Sequence, residues 1–509
     1  MKKILEKLGA WFAGRSAAAI AMTALIVAIL VVVNAVVYAL TDAFSLYLYA
    51  PPKEEEPLSG NADRLLERII GEGEEVSIIF LTSKDNMEGH TTGSMVLETA
   101  LALDEEYDFI NVRFVNFYTE LDQDGNPVDL TKYQKDMKGN EVSLHQNAVV
   151  FESEYGYRVL NSVYNGVGYA DFYTLNSSGY ITSYNGEEVM VSMLSWVMTN
   201  EHKTAYFTQN HGETADAAFV NLLASAGYYV DVINLRQKEV PEDAALLIIS
   251  GPTSDFEKGA EGSTVRVRAE IERMEDYLKR GGDLLVQLDP LVKELPVLES
   301  FLLDKGFAIS AKRDENGRLI RDIVKDDVDA ITTDGYTFVA THADGYVSES
   351  IHSNISGFGS GRVLMSDVAC LELSKGAQPL LLSSSTSTLY AGGKQTASGG
   401  SYPVVAFNEL PSSESGNMTR ITVVASIYLT ASQALITGGY SNKDFTYSIL
   451  DELYDAPCAP YGMKGLLYSS TILENFTMGT ARLIFACLMA IPVALGIIGA
   501  VIIIRRRNR

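Results

Sequence analysis

Two long uncharged segments constrain the fold of this chain more than any other feature of its sequence. Residues 17–40 and residues 483–504 contain no charged side chain. At about 1.5 Å of rise per residue, each segment is long enough as a helix to cross a hydrocarbon layer about 30 Å thick. A cleaved signal peptide is the alternative for the first segment, but its apolar core is much longer than the roughly 7–15 residues usual there, and no clear cleavage site follows. The sequence therefore predicts a membrane anchor at each of these positions.

The charges that flank the two segments predict their orientation. Residues 1–16 carry a net charge of +3 and residues 505–509 carry +4, whereas the whole chain carries −25, which leaves −32 for residues 41–482. Basic flanks of membrane spans stay on the cytoplasmic side. We therefore expect a two-pass protein of the cell membrane with both termini cytoplasmic and an acidic region of about 440 residues outside the cell.

The composition of this region excludes several classes of function. An acidic surface does not neutralise phosphates, so nucleic acid is not expected as a partner. There is no P-loop and no Gly-x-Ser-x-Gly or Gly-x-Cys-x-Gly elbow. The cysteines form no metal-binding pattern, and no metal or cofactor is predicted. Cys370 and Cys458 lie outside the two spans, and the sequence leaves open whether they form a disulfide.

The first part of the acidic region alternates helical and extended patterns. After the stiff, charged spacer "PPKEEEP" come an amphipathic helix, the apolar strand "VSIIFLT", a helix over 93–108 and a strand over 111–117. Alternation of this kind predicts a parallel or mixed sheet with crossover helices. Tyr-rich alternation with NG and SG turns predicts hairpins over 140–185, and a helix over 187–199 follows.

The second part begins at Lys203 and repeats the strand–helix alternation over a longer stretch, which predicts a doubly wound sheet. The predicted strands are "KTAYFT", "YYVDVINL", the end of "VPEDAALLIISGP", "DLLVQLDP", "YPVVAFNEL" and "RITVVASIYL". The predicted helices are 214–226, 264–280 (ending at Gly281–Gly282), 294–305 and 444–455. The Ser- and Gly-rich stretch "LLLSSSTSTLYAGGKQTASGGS" is expected to include an exposed loop.

These patterns predict an α/β protein with two extracytoplasmic α/β domains between two transmembrane helices. In chain order, we expect a cytoplasmic tail and first anchor at 1–45, a linker at 46–57, an α/β domain at 58–200, a second α/β domain at 201–460, a linker at 461–482, and the second anchor with its basic tail at 483–509.

The candidate site is the turn in "TQNHGETADAAF", where a strand ends and a helix begins. Open α/β sheets bind ligands at such turns, because free backbone N–H groups converge there. Asn210 and Gly212 tolerate unusual backbone angles, Glu213 is expected near the first turn of the helix, and Thr214 is a candidate cap. His211 has three interpretations: a structural bridge across the turn, a residue that binds a ligand or partner, or an acid–base or metal-binding group.

Other residues follow strands at the same predicted edge. Gly251 and Pro252 end the strand in "VPEDAALLIISGP", and Asp289 follows "LLVQL". If the sheet is parallel, Asp289 lies at the same edge as His211, where a capping role is the main alternative to chemistry. No residue is predicted to be catalytic.

The motifs together resemble the gliding-motility-associated ABC transporter auxiliary family (GldG-type). "LSGNADRLLERI", "VSIIFLTS" and "ALALDEEYDFINVRFVNF" resemble its N-terminal domain. The strand before "HGE", followed by "VPEDAALLIISGP" and "YLKRGGDLLVQLDP", resembles its auxiliary domain in order and spacing, and "AQPLLLSSSTSTLY" and "RITVVASIYLTAS" resemble its later landmarks. The family more often has Gly before His-Gly-Glu, where this chain has Asn210.

The resemblance implies a non-catalytic, membrane-anchored subunit that works beside a separate ATPase and a permease of a bacterial ABC transporter. It also implies a Rossmann- or flavodoxin-like, or amidotransferase-like, second domain. Such a subunit would bind the substrate, a cell-envelope ligand or a partner, with Asn210, His211, Gly212 and Glu213 at the rim of the cleft. Two alternatives remain: a surface-anchored hydrolase of saccharide or peptide that uses Glu213, His211 and Asp289, and a structural spacer between membrane and cell wall.

Overall fold

The computed structural model describes residues 58, 61–69, 74–161, 163–164, 167–176, 178–257, 269–356, 360–436, 439–463 and 465–467. All of them belong to one compact unit, Pro57–Tyr468. The predicted spans at 17–40 and 483–504 and the linker at 46–57 lie outside the described residues. No described helix combines the length and apolar character needed to cross a membrane.

Helices and strands alternate along most of the described chain, so the protein is of the α/β class. The helices are α1 Ala62–Ile69, α2 Lys84–Glu88, α3 Gly93–Glu106, α4 Gly186–Met198, α5 Ala217–Ser225, α6 Glu270–Lys279, α7 Pro296–Asp304, α8 Tyr346–Ser356, α9 Ser432–Ile436 and α10 Asn442–Tyr454. The strands of the first half are β1 Val76–Phe80, β2 Ile110–Asn116, β3 Leu121–Asp122, β4 Val149–Glu152, β5 Tyr157–Leu160, β6 Tyr173–Leu175, β7 Ile181–Tyr184, β8 Thr204–Thr208, β9 Tyr229–Ile233, β10 Ala244–Ser250 and β11 Asp283–Gln287. Those of the second half are β12 Phe307–Ile309, β13 Ala311–Arg313, β14 Leu319–Arg321, β15 Ile323–Lys325, β16 Thr337–His342, β17 Val363–Ser366, β18 Leu371–Leu373, β19 Gln378–Leu382, β20 Ser387–Ala391, β21 Lys394–Gly400, β22 Pro403–Pro411, β23 Met418–Val424 and β24 Leu466–Leu467.

The first large sheet has five strands in the order β3-β2-β1-β4-β5. Strands β1 and β2 are parallel, with Ile78 opposite Val112, whereas β4 is antiparallel to β1 and to β5. The sheet is therefore mixed, as the sequence predicts. The pairs β4–β5 and β6–β7 are antiparallel, which confirms the hairpins expected over 140–185.

The second large sheet has nine strands in the order β17-β16-β19-β22-β23-β11-β10-β8-β9. Five neighbouring strands, β23, β11, β10, β8 and β9, are parallel to one another. The other four continue the sheet in antiparallel pairs. Strand β10, the middle one of these five parallel strands, is buried over Leu246–Ser250, as expected for a strand covered on both faces. Because β8, β10 and β11 run in the same direction, the turns that follow them share one edge of the sheet, which we call the carboxyl edge.

The stretch "LLLSSSTSTLYAGGKQTASGGS" includes an exposed turn, as expected, at Gly392 and Gly393, but most of the stretch is strand. Strands β20 and β21 pair there as an antiparallel hairpin with Ala391 opposite Lys394. The two residues between them, Gly392 and Gly393, have φ of 56° and 77°. A two-residue turn with positive φ at both positions matches the twist of paired strands, and a Gly-Gly pair adopts it without steric cost.

The two ends of the described region lie side by side. The Asn61 side chain donates to the carbonyl of Gly462 at 2.8 Å, and Arg64 donates to the carbonyl of Ala459 at 3.1 Å. The Arg64 guanidinium also lies 3.6 Å from the centre of the Tyr461 ring. Strand β24 then pairs with β7. The first residues of the predicted linker at 461–482 are thus part of the folded region.

Candidate functional site

The turn after β8 has the backbone geometry that its sequence predicts. Asn210 has φ of 86° and Gly212 has φ of 80°. Asn is among the few residues other than Gly that adopt positive φ at small cost, so the Asn at this position preserves the turn. A side chain at Gly212 would have its Cβ 2.0 Å from Thr253 Oγ1, so this position requires glycine.

The helix after the turn begins later than expected. It starts at Ala217, and its N-cap is Asp216, whose side chain accepts a hydrogen bond from Ala218 N at 2.8 Å. The expectation that Thr214 caps the helix and that Glu213 lies near its first turn is therefore wrong. Asp is a strong N-cap residue, and Asp216 also accepts from Ser432 N at 2.9 Å, which ties α5 to α9.

Glu213 instead binds the turn itself. Its Oε2 accepts from His211 N at 2.6 Å, and its Oε1 lies 2.9 Å from His211 Nδ1. On the other side of the ring, His211 Nε2 lies 3.0 Å from Oε2 of Glu270, the first residue of α6. The side chains of His211, Glu213 and Glu270 are 0%, 4% and 1% exposed. We call these three residues the Glu–His–Glu triad.

The charges of the triad stabilise one another. Burial disfavours the imidazolium of His211, but the hydrogen bonds and charges of Glu213 and Glu270 outweigh it and raise the pKa of His211 to about 9. Burial likewise acts to raise the pKa of both carboxyl groups, and the contacts with His211 reverse this and leave the pKa of each lowered. A charged imidazolium between two carboxylates is the consistent state near neutral pH.

Neighbouring loops close over the triad. The carbonyl of His211 accepts from Thr253 N at 2.7 Å and from Ser254 N at 2.9 Å, and the ring of Phe256 stacks 4.0 Å from the His211 ring. Glu270 Oε2 also accepts from Glu257 N at 2.8 Å. The loop after β10 is thereby fastened to the turn after β8. The triad occupies the place where an α/β sheet of this kind would hold a ligand.

The other predicted site residues take structural positions as well. Gly251 and Pro252 are buried, and Gly251 N donates to Gln287 O at 2.9 Å. The Oδ1 of Asp289 accepts from Leu291 N at 2.9 Å, so it caps the turn after β11. The cap of α7 comes from Asp255, which accepts from Val297 N at 2.8 Å. Asp289 shares the carboxyl edge with His211, as predicted, but no described contact joins the two.

This geometry favours the structural interpretation of His211. Both ring nitrogens are bonded to buried carboxylates, so the side chain has no nitrogen left for a ligand in this conformation. The hydrolase alternative needs an accessible carboxylate pair, and Glu213 is held by a backbone N–H and by His211 instead. The sequence reasoning missed Glu270 and Phe256, which complete the cluster. A Glu that begins a helix and a Phe in a loop carry no sequence signal that relates them to a His more than 40 residues away.

The described cysteines and acidic groups form no further site of the expected kinds. Cys370 and Cys458 are both buried free thiols. Burial raises the pKa of each to about 12, which keeps them protonated and unreactive. Across the described residues, no cluster of three or more His, Cys, Asp or Glu has a metal-holding arrangement.

Comparisons with known proteins give no family. No protein-family model matches the sequence, and no curated protein matches it. Among solved structures, the chain is similar to the mmIFT52 N-terminal domain, with 15% identity over 49% of this chain and 96% of the other and a TM-score of 0.35. It is also similar to a putative ThuA-like protein from Bacteroides uniformis, with 11% identity, 52% and 96% coverage and a TM-score of 0.30. PurLQS from Thermotoga maritima matches with 14% identity, 50% and 100% coverage and a TM-score of 0.26. Matches at this level support no conclusion about function.

Proposed function

We propose that this chain is a non-catalytic accessory subunit of a bacterial ABC transporter, anchored in the cell membrane at both ends, with its α/β region outside the cell. It acts with a separate ATPase and a permease, and its α/β region binds the substrate, a cell-envelope ligand or a partner. Both termini are cytoplasmic. Within this proposal the region comprises two domains, 58–200 and 201–460, the second doubly wound and flavodoxin-like or amidotransferase-like.

The observation that most directly supports anchoring at both ends is that the two ends of the folded region are adjacent. Two anchors in one bilayer require the chain to enter and leave the outer region on the same side. Asn61 and Gly462 are joined by a hydrogen bond of 2.8 Å, and β24 lies beside β7. Seventeen residues separate the predicted span at 17–40 from residue 58, and fifteen separate Leu467 from the span at 483–504. Connectors of similar length therefore join the two adjacent ends of the folded region to the predicted spans.

The charge distribution and the absence of nucleotide motifs support the same role. The basic flanks of the predicted spans favour cytoplasmic termini and, with them, an outer location for residues 41–482. A chain without a P-loop needs a separate ATPase to drive transport. A membrane subunit with a large outer region and no P-loop fits an accessory role beside a separate ATPase.

Co-purification tests the proposal directly. The full-length protein, tagged and extracted in a mild detergent, should recover an ATPase and a multi-span permease in near-stoichiometric amounts, as identified by mass spectrometry. The same extraction from cells that carry the untagged protein is the control. A clean monomer under these conditions would contradict the proposal.

A structural spacer between membrane and cell wall is the second candidate, and the closed carboxyl edge favours it. The Glu–His–Glu triad fills the usual ligand position of the sheet with the protein's own side chains. A spacer needs no ligand. The accessory subunit and the spacer therefore differ in whether the outer region binds a ligand at a position other than the carboxyl edge.

A further inference from the structure

A cavity of about 670 Å³ opens at the opposite edge of the nine-stranded sheet. This amino edge is where β8, β10, β11 and β23 begin. The lining residues that matter for its chemistry are Lys203, Tyr277, Arg280, Asp283, Arg420 and Asp455. The volume is within the range of roughly 300–1,000 Å³ that ligand sites occupy, whereas the carboxyl edge is filled by the triad.

Asp283, the first residue of β11, brings a carboxylate into this cavity that the protein only partly neutralises. Its Oδ1 accepts from Arg420 N at 2.7 Å, but its Oδ2 lies 3.9 Å from the nearest guanidinium nitrogen of Arg420. That same nitrogen is 2.8 Å from Asp455 Oδ2, so Arg420 is engaged elsewhere. Burial raises the pKa of Asp283 to about 7. The carboxylate has capacity for one more donor, and a cationic donor would stabilise it most.

Two cations at the cavity wall have spare donors. Lys203 Nζ donates to the backbone carbonyl of Asp455 at 3.2 Å, and Arg280 Nη2 donates to that of Val240 at 2.9 Å. Neither has a carboxylate within 4.0 Å among the residues that the structure describes. An ammonium carries three donors and a guanidinium five, so each retains N–H groups that can bind an anion.

The wall around Asp283 is held in place by the fold. The hydroxyl of Tyr277 donates to Asp283 O at 3.0 Å and accepts from Asp283 N at 3.1 Å. A Cβ at Gly282 would lie 2.1 Å from the Tyr277 ring, so this position must be glycine for the ring to pack there. A carboxylate whose backbone is fixed on both sides is positioned before a ligand arrives, which lowers the entropic cost of binding.

From this arrangement we infer that the amino-edge cavity binds a zwitterionic ligand of short-peptide size. The ligand's ammonium group meets Asp283, and its carboxylate meets Lys203 and Arg280. This inference deepens the proposed function. It rests on that proposal only in assuming that the ligand comes from outside the cell. The binding step itself can be measured on the purified protein without any transporter partner.

Calorimetric titration of the full-length protein in detergent tests the inference, with tri-alanine as the probe at about pH 8, above the pKa of Asp283. We expect saturable binding with a Kd below about 1 mM. N-acetyl-tri-alanine lacks the ammonium group and tri-alanine amide lacks the carboxylate, and each should bind at least about tenfold more weakly, because each loses a charge-assisted hydrogen bond.

Variants assign each end of the peptide to its residue. The Asp283→Asn variant should bind tri-alanine and N-acetyl-tri-alanine equally well. The Arg280→Gln variant should show a smaller preference for tri-alanine over tri-alanine amide than the wild type does. Lys279→Gln is the matched control, because Lys279 neighbours Arg280 in the chain, pairs with Asp276 and does not line this cavity. The Lys279→Gln variant should bind like the wild type.

Absence of saturable binding up to about 10 mM tri-alanine, or equal binding by all three peptides, would overturn the inference. Co-purification of the transporter subunits would be unaffected by that result, so the two failures are distinguishable.

Discussion

At the carboxyl edge of the nine-stranded sheet, His211 lies between two buried carboxylates at 2.9 and 3.0 Å. At the amino edge, the second oxygen of Asp283 lies 3.9 Å from its nearest cation and faces a cavity. The fold lowers the pKa of Glu213 and Glu270 at the carboxyl edge and raises the pKa of Asp283 at the amino edge. A buried carboxylate that is satisfied internally builds structure, and one that is left incompletely paired is available for a ligand.

Removal of the His211 ring should have the largest effect on stability. His211→Ala leaves Glu213 and Glu270 buried without their shared partner, which should lower the free energy of unfolding by about 3–5 kcal/mol. Chemical denaturation of the purified protein measures this loss. His145→Ala is the control, because His145 is exposed and should change stability by less than about 0.5 kcal/mol. A loss below about 1 kcal/mol for His211→Ala would show that the triad does not hold the carboxyl edge closed.

The free energy of unfolding should depend on pH through the titration of His211. The pKa of His211 is raised from 6.5 to about 9 in the folded protein, so its stabilising contribution is fully present below about pH 6.5 and is lost as the pH rises through 9. Glu213 and Glu270 have lowered pKa values in the folded protein. Their stabilising contribution is therefore present above about pH 4.5 and is lost as the pH falls below it. The difference in unfolding free energy between wild type and His211→Gln should therefore shrink by about 2–3 kcal/mol between pH 6 and pH 9.5.

A difference that stays constant over that pH range would mean that folding does not shift the pKa of His211. His145→Gln, which alters an exposed ring, serves as the reference.

The turn at Gly212 should tolerate a side chain less well than another turn with the same backbone angle. Gly212 (φ 80°) and Gly393 (φ 77°) both have positive φ, but an added Cβ meets Thr253 at 2.0 Å at the first and nothing within 4 Å at the second. Gly212→Ala should cost about 2 kcal/mol and Gly393→Ala about 1 kcal/mol. Thermal unfolding of both variants measures the difference. Equal costs would show that Thr253 moves aside freely and that the loop after β10 is not fixed to the turn.

Neutralising Asp283 should stabilise the protein, in contrast to the loss expected at His211. Its carboxyl group has a pKa of about 7 in the fold against 3.8 ordinarily, so its burial destabilises the fold progressively as the pH rises from about 4 to 7 and fully above that. Asp283→Asn should raise the free energy of unfolding by about 1–2 kcal/mol at pH 8 and by almost nothing below pH 4. Denaturation at the two pH values checks this. A loss of stability at pH 8 would mean that Arg420 neutralises Asp283 fully.

Sequence periodicity predicted helices correctly where local signals agreed with tertiary packing. The helix expected over 93–108 is Gly93–Glu106, and the helix expected over 187–199 is Gly186–Met198. The positive φ of Asn210 was likewise predictable, because few residue types tolerate that conformation. These features depend on neighbours within a few residues.

The composition of both edge sites was not predictable, because it depends on contacts between distant parts of the chain. Glu270 reaches His211 across 59 positions, and Arg420 reaches Asp283 across 137. Nothing in the local sequence distinguishes Asp283 from an exposed Asp at the start of a strand. The strands β20 and β21 were not predicted for a related reason, since the Ser- and Gly-rich composition favours a loop, while pairing with β15 stabilises strands.

The most direct test of the proposed function is the accessibility of the folded region from outside the cell. Both described cysteines are buried, so with Cys487 replaced by Ser, a cysteine placed at Tyr346, which is 85% exposed, can be labelled selectively. A membrane-impermeant maleimide applied to intact cells, or to spheroplasts where an outer membrane is present, should label Tyr346→Cys at once. It should label Asn508→Cys, in the basic tail, only after the membrane is permeabilised. Labelling of Asn508→Cys in intact cells with protection of Tyr346→Cys would contradict the proposed topology and, with it, the extracytoplasmic accessory role.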